Sequence, residues 1–169
     1  MDLVTPELLQ HVGRTATFVA PEEIGAASIR YFALALDDTN PLYFDRAFAA
    51  STRYGDIVAP PTFVCDSVQY ANEKPNEDGY IGPQWELPLP PCRAIRGGHD
   101  YEFFVAARPS DRLTVRWTLS DIFQRDTKKR GALVFVVSDI EYRNQAGTLL
   151  ARNRETLIYE PLDKGPGDE

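Results

Sequence analysis

The strongest constraint on the fold is a change of period near the middle of the chain. From residue 113 onward apolar side chains fall on every second position: Leu113, Val115, Trp117 and Leu119 alternate with Thr114, Arg116, Thr118 and Ser120. A period of two is the pattern of a strand with one face buried and one face wet. Residues 132–142, ALVFVVSDIEY, are more continuously apolar and predict a central strand. Residues 94–106, around Gly97-Gly98, and 148–159 predict two more strands. The connections at 124–131 and 143–147 are short, polar and glycine-containing, which favours antiparallel hairpins. The one basic run, RDTKKR at 125–130, falls in the first of them and reads as a solvated loop.

Before these strands the period is helical. Ile24, Ala27, Tyr31, Leu34 and Ala35 predict a helix that opens at Pro21-Glu22-Glu23, where acids suit the first turn, and that stops before Pro41. Pro60-Pro61-Thr62 announces a second helix carrying Phe63, Val64, Ser67, Val68 and Ala71, small or apolar on most sides as a buried helix requires. Residues 72–91 are rich in Pro, Gly, Asn and Glu and predict a long loop or flap that includes Tyr80, Ile81, Trp85 and Leu87. The order predicts an α+β domain, a curved antiparallel sheet wrapped around one long central helix. A single domain is expected over residues 1–160, with a flexible tail at 161–169. The open edges of such a sheet predict a dimer.

Composition narrows the function. The chain has 169 residues, 43% hydrophobic and 25% charged, which suits one soluble domain with one core. A net charge of −7 without a basic stripe excludes nucleic acid as an expected partner. No run approaches the roughly 20 apolar residues of a membrane span, and the first residues lack the basic and apolar regions of a signal peptide. Cys65 and Cys92 stand far apart and outside any Cys/His metal spacing. Two free thiols in the cytoplasm are expected, and no metal site.

The residues with chemical content are Asp38, Asn40, Pro41 and Tyr43, in YFALALDDTNPLY at 31–43. This stretch resembles the signature Y-x-x-[AS]-x-x-G-D-x-N-P-[LIV]-H of MaoC-like (R)-specific enoyl-CoA hydratases. YGDIVAPPTF at 54–63 resembles the family's approach to its central helix, and is closest to the dehydratase N-terminal branch. RGGHDYEFF at 96–104 and RPSDRL at 108–113 resemble a later strand and turn. The resemblance spans roughly residues 15 to 160 and implies the hot-dog fold.

It also implies a reaction. Members use an Asp and a His to grip one water, which is added to a trans-2-enoyl thioester or removed from an (R)-3-hydroxyacyl thioester. No cofactor is expected; CoA or an acyl-carrier protein serves as substrate carrier. On that pattern Asp38 and Asn40 fall on catalytic positions, and Tyr43 stands where the histidine belongs. Pro60 falls on a glycine whose N–H donates to the developing oxyanion, and proline has no N–H. Pro60, Pro61, Thr62 and His99 are the expected substrate-binding residues. A phenol near pKa 10 is a poor base at pH 7, and loss of such a base costs about 10²- to 10⁴-fold. Loss of an oxyanion donor costs on the order of 10²- to 10³-fold.

The expectation is therefore a hydro-lyase subunit, inactive alone, in a homo- or heterodimer with a catalytic MaoC-like chain. The alternative is a non-catalytic acyl-thioester-binding or scaffold protein. His99 is the one residue placed to replace the missing imidazole; otherwise it is an ordinary strand residue. Trp85 and Trp117 are expected as core or interface aromatics, Cys65 as a buried filler, and Gly97-Gly98 as a bulge.

Overall fold

Five strands form one antiparallel sheet in the order β1-β3-β4-β5-β2. They are β1 (Thr15–Val19), β2 (Cys92–Phe103), β3 (Thr114–Thr127), β4 (Gly131–Arg143) and β5 (Leu149–Pro161). The computed structural model describes residues 2–71, 74–77, 79, 81–83 and 85–162. Tyr80 of the expected flap and 163–169 of the expected tail lie outside the described residues.

The alternation predicts the faces correctly. Val115, Trp117 and Leu119 of β3 point into the core, as do Val136, Ile140 and Tyr142 of β4. A register shift between Leu119 and Asp121 resets the phase, so the next buried residue is Ile122 rather than Asp121. The opposite face carries rows of alternating charge. Arg116 pairs in register with Glu141, Glu141 with Arg152, and Arg152 with Glu102. Such exposed cross-strand pairs add little stability each, but they keep that face wet. Gly97-Gly98 is the expected bulge: register shifts between Arg96 and Gly98, and a Cβ on Gly97 would meet the Thr156 carbonyl at 2.9 Å.

The helices depart from the pattern. The first long one, α2 (Ala26–Ala35), follows two shorter segments, α1 (Pro6–Leu9) and β1. It starts at Gly25 with φ 78, not at Pro21, and ends when Asp37 turns left-handed at φ 55, before Pro41 is reached. Its buried face is Ile29 and Ala33, whereas Tyr31 and Leu34 are exposed. The RPSD turn fixes its start: Gly25 N–H donates to the Pro109 carbonyl, and Ile24 N–H to that of Asp111, both at 2.8 Å.

Among the described residues the expected long central helix does not form. After α3 (Arg46–Ala50), the segment following Pro60-Pro61 makes only one turn, α4 (Phe63–Asp66). Val68 adopts φ 52, a left-handed conformation costly for a β-branched residue. Tyr70 repays that cost. It is buried edge-on to Tyr142 at 5.9 Å and beside Phe18 at 6.0 Å, which draws the chain onto the sheet where a helix would have continued. No helix among the described residues is long and apolar enough to cross a membrane.

Candidate functional site

The loop after α2 is built by its own side chains. Asp38 Oδ1 accepts the Asn40 N–H at 3.0 Å, and Asn40 Oδ1 accepts the Leu42 N–H at 3.1 Å. The second bond caps a short 3-10 turn, Pro41–Tyr43. That turn swings Tyr43 inward, where it is buried. Burial raises its phenol above 10, and the charge of nearby Asp38 adds to this; a hydrogen bond from the Asn40 side chain partly opposes it. At neutral pH the group is a donor, not a base.

Tyr43 lines a cavity of ≈ 490 Å³ together with Pro60, Pro61, Val64, Phe103 and Val105. Tyr43, Pro60 and Pro61 share this cavity, whereas Asp38 and Asn40 stand beside Tyr43 in the loop and are not among the lining residues. Thr62 is half-buried at the start of α4 and makes no side-chain cap. Two residues not expected among the site residues also reach this cavity. Arg53, next to Tyr54, comes from the end of the α3 segment. Arg108 comes from the RPSD turn, which Asp111 pins by accepting the Arg108 N–H at 2.8 Å.

His99 is elsewhere. It lines a second cavity, of ≈ 270 Å³, with Cys65, Tyr101, Tyr142 and Glu155. The α4 turn lies between the two: Val64 lines the first cavity and Cys65 the second. His99 Nδ1 lies 3.0 Å from Asn153 Nδ2 and 3.3 Å from Asn153 Oδ1, and its Nε2 lies 3.8 Å from Glu155 Oε1. The ring stacks on Tyr101 at 5.4 Å, and the Tyr101 hydroxyl donates to Asp66 at 3.0 Å. His99 is therefore a partnered strand residue and does not complete the Asp38–Tyr43 site. Glu155 faces it because β5 and β2 pair in register at those two positions.

Burial also pushes the Cys65 thiol up to about 12 and raises Tyr70 and Tyr142 well above their ordinary range. The native chain keeps these protons at pH values where the unfolded chain releases them. Their contribution to stability is complete below about pH 9 and declines as pH rises beyond it, at up to about 1.4 kcal/mol per pH unit for each group that titrates only when unfolded. Thermal melts at about pH 8 and about pH 10.5 check this. A melting temperature that stays constant between them would show that these side chains are not sequestered.

Comparison with known proteins agrees with this architecture. Residues 10–153 match the family described as FAS1-like, dehydratase domain region. A UPF0336 protein of Parafrankia sp. is 31% identical over 150 residues, covering 87% of this chain and 90% of its own length. The chain belongs to the FAS1-like, MaoC-like hot-dog dehydratase family. Among solved structures, the ChsH1–ChsH2 complex of Mycobacterium tuberculosis superposes with a TM-score of 0.73 at 16% identity, covering 93% of this chain and 95% of that one. The HadBC (3R)-hydroxyacyl-ACP dehydratase complex of the same organism gives 0.60 at 22% identity, covering 86% and 96%. Both likenesses establish the hot-dog fold, and both are complexes of two different chains. The one-turn α4 departs from the long helix that the sequence predicts for this chain.

Proposed function

We propose that this chain is the supporting half of an enoyl-thioester hydratase or (R)-3-hydroxyacyl-thioester dehydratase, paired with a second hot-dog chain that carries the complete Asp/His dyad. One observation carries the reading. The motif loop turns residue 43 into a cavity, yet this position, which needs an imidazole, holds a buried phenol that stays protonated at neutral pH. Pro60 on the same cavity has no N–H to give an oxyanion. The cavity is therefore shaped for the substrate class while the proton chemistry comes from a partner.

The edge of the sheet supports a partner on this side. β2 is one of the two outer strands, and most of its residues are exposed. Phe103, Phe104 and Val105, at its end beside the cavity, are 44%, 50% and 48% exposed. Three consecutive open apolar side chains next to an unpaired edge suit a covering chain. The carrier, CoA or acyl-carrier protein, belongs to the same proposal, as does the cytoplasm as its place of action.

The test mixes this chain with a neighbouring hydratase-like chain and follows hydration of a trans-2-enoyl-CoA. The pair is expected to co-elute and to turn over substrate, surviving Asp38→Ala here but not replacement of the partner's histidine. Turnover by this chain alone at the rate of the mixture would overturn the reading. A scaffold that binds thioesters without any catalytic partner is the second reading. It is favoured by the fact that Asp38 and Asn40 already spend an oxygen each on shaping the loop, and it gains ground if the two chains associate without turnover.

A further inference from the structure

We infer that the Tyr43 cavity remains a binding site for a phosphate-terminated pantetheine arm, with Arg53 and Arg108 as its anion-recognising pair. The inference rests on the thioester reading above, but it concerns binding in this chain rather than turnover.

One residue holds both guanidinium groups. Arg53 Nη2 donates to the Tyr54 hydroxyl at 2.8 Å, and its guanidinium carbon lies 4.9 Å from the centre of the same ring. Arg108 approaches across 54 positions of sequence, and its Nη2 donates to the Tyr54 carbonyl at 2.6 Å. Both arginines stay exposed on the rim of the cavity. Neither has a carboxylate within ion-pair distance among the described residues.

The carboxylates nearest to them in sequence are engaged. Asp56 faces Arg46 at 3.5 Å, and Asp45 caps the Phe48 N–H. Asp111 accepts the Arg108 main-chain N–H with one oxygen and the Asn144 amide with the other. In a chain of net charge −7, two guanidinium groups without an ion-pair partner among the described residues stand on one rim.

The wall below is apolar, with Leu42, Val58, Val64, Phe103, Val105 and Leu150. An anionic head above an uncharged, partly apolar tail matches that distribution. A guanidinium presents a planar fork of donors that suits phosphate. Side chains already pinned on Tyr54 also lose less freedom on binding than free ones. An isolated inorganic phosphate would leave the apolar wall unused.

The test measures binding of three thioesters to the full chain by titration calorimetry: S-hexanoyl-pantetheine, S-hexanoyl-4′-phosphopantetheine and hexanoyl-CoA. The two that carry phosphate are expected to bind about ten- to a hundred-fold more tightly than the first, the scale of a charge-assisted hydrogen bond or two. Arg53→Gln and Arg108→Gln should each remove most of that advantage while leaving the pantetheine thioester and the melting temperature unchanged. Arg53→Lys should keep part of it, and added salt should narrow it.

Equal affinity for all three overturns the arginine assignment and leaves the thioester reading standing. So do folded glutamine variants that bind like the parent. Binding of none of the three overturns the thioester reading itself. Where the assignment holds, an advantage of hexanoyl-CoA over the phosphopantetheine thioester places the pair on the nucleotide phosphates of CoA. Equality of those two places it on the phosphate that CoA shares with a carrier protein.

Discussion

Tyr43→His should raise the rate at which the isolated chain hydrates a trans-2-enoyl-CoA by about 10²-fold or more, within the 10²- to 10⁴-fold that a positioned general base supplies. Asp38 and Asn40 already frame the position, and Asp38 acts electrostatically on residue 43. An imidazole there gains a carboxylate neighbour that favours its charged form, while burial disfavours it, so the two effects oppose each other near neutral pH. Adding Pro60→Gly restores a backbone N–H at the cavity and should contribute a further 10²-fold, on the order of the loss seen when one oxyanion donor is removed. Tyr43→Phe is the control: it removes the hydroxyl and its hydrogen bond with Asn40 but no group that ionises in this range, so the rate should not rise. Loss of the conjugated enoyl absorbance measures all four proteins. A folded Tyr43→His chain no faster than its parent would show that more than these two positions is missing, and would favour the scaffold reading.

The sheet was legible in the sequence because its signal is local and strong. Alternation over 113–119 and the apolar run at 132–142 need only a period of two to be read, and the turns between them carry glycine. β1 escaped because TATFV at Thr15–Val19 is short, sits at an edge, and has half-buried residues on one face with exposed ones on the other. The long helix failed for a tertiary reason. Phe63, Val64, Ser67 and Val68 fit a buried helix by spacing, but Tyr70 finds a better site against Tyr142 and Phe18, and Val68 bends to deliver it.

The site divides in the same way. Asp38, Asn40 and Tyr43 were singled out because one contiguous motif carries them, and Pro60 because it stands in a second recognisable segment. His99 was nominated because histidines are scarce, yet cross-strand register hands it to Glu155 and Asn153 instead. Arg53 and Arg108 become a pair only after the fold brings them to Tyr54. No spacing rule links residues that far apart.

The short α4 makes one side chain answer for both cavities. Phe63 is fully buried and packs edge-on against Phe32 of α2 at 5.2 Å, with its N–H on the Pro60 carbonyl at 3.0 Å. A longer helix would share the task of seating that segment among several turns; here a single turn depends on this ring. Phe63→Ala should cost about 3–5 kcal/mol in urea unfolding, the range for a large aromatic cut back in a core, and so a large part of a typical domain's 5–15 kcal/mol, roughly stated. Phe63→Leu keeps most of the volume and should cost less than about 1.5 kcal/mol. Phe103→Ala, at an open position on the edge strand, should change the isolated chain by no more than about 0.5 kcal/mol. Its effect should appear instead as weaker association in the mixed pair. Equal losses for Phe63→Ala and Phe103→Ala in the isolated chain would mean that the edge of β2 is already covered, and that α4 is not what holds the two cavities apart.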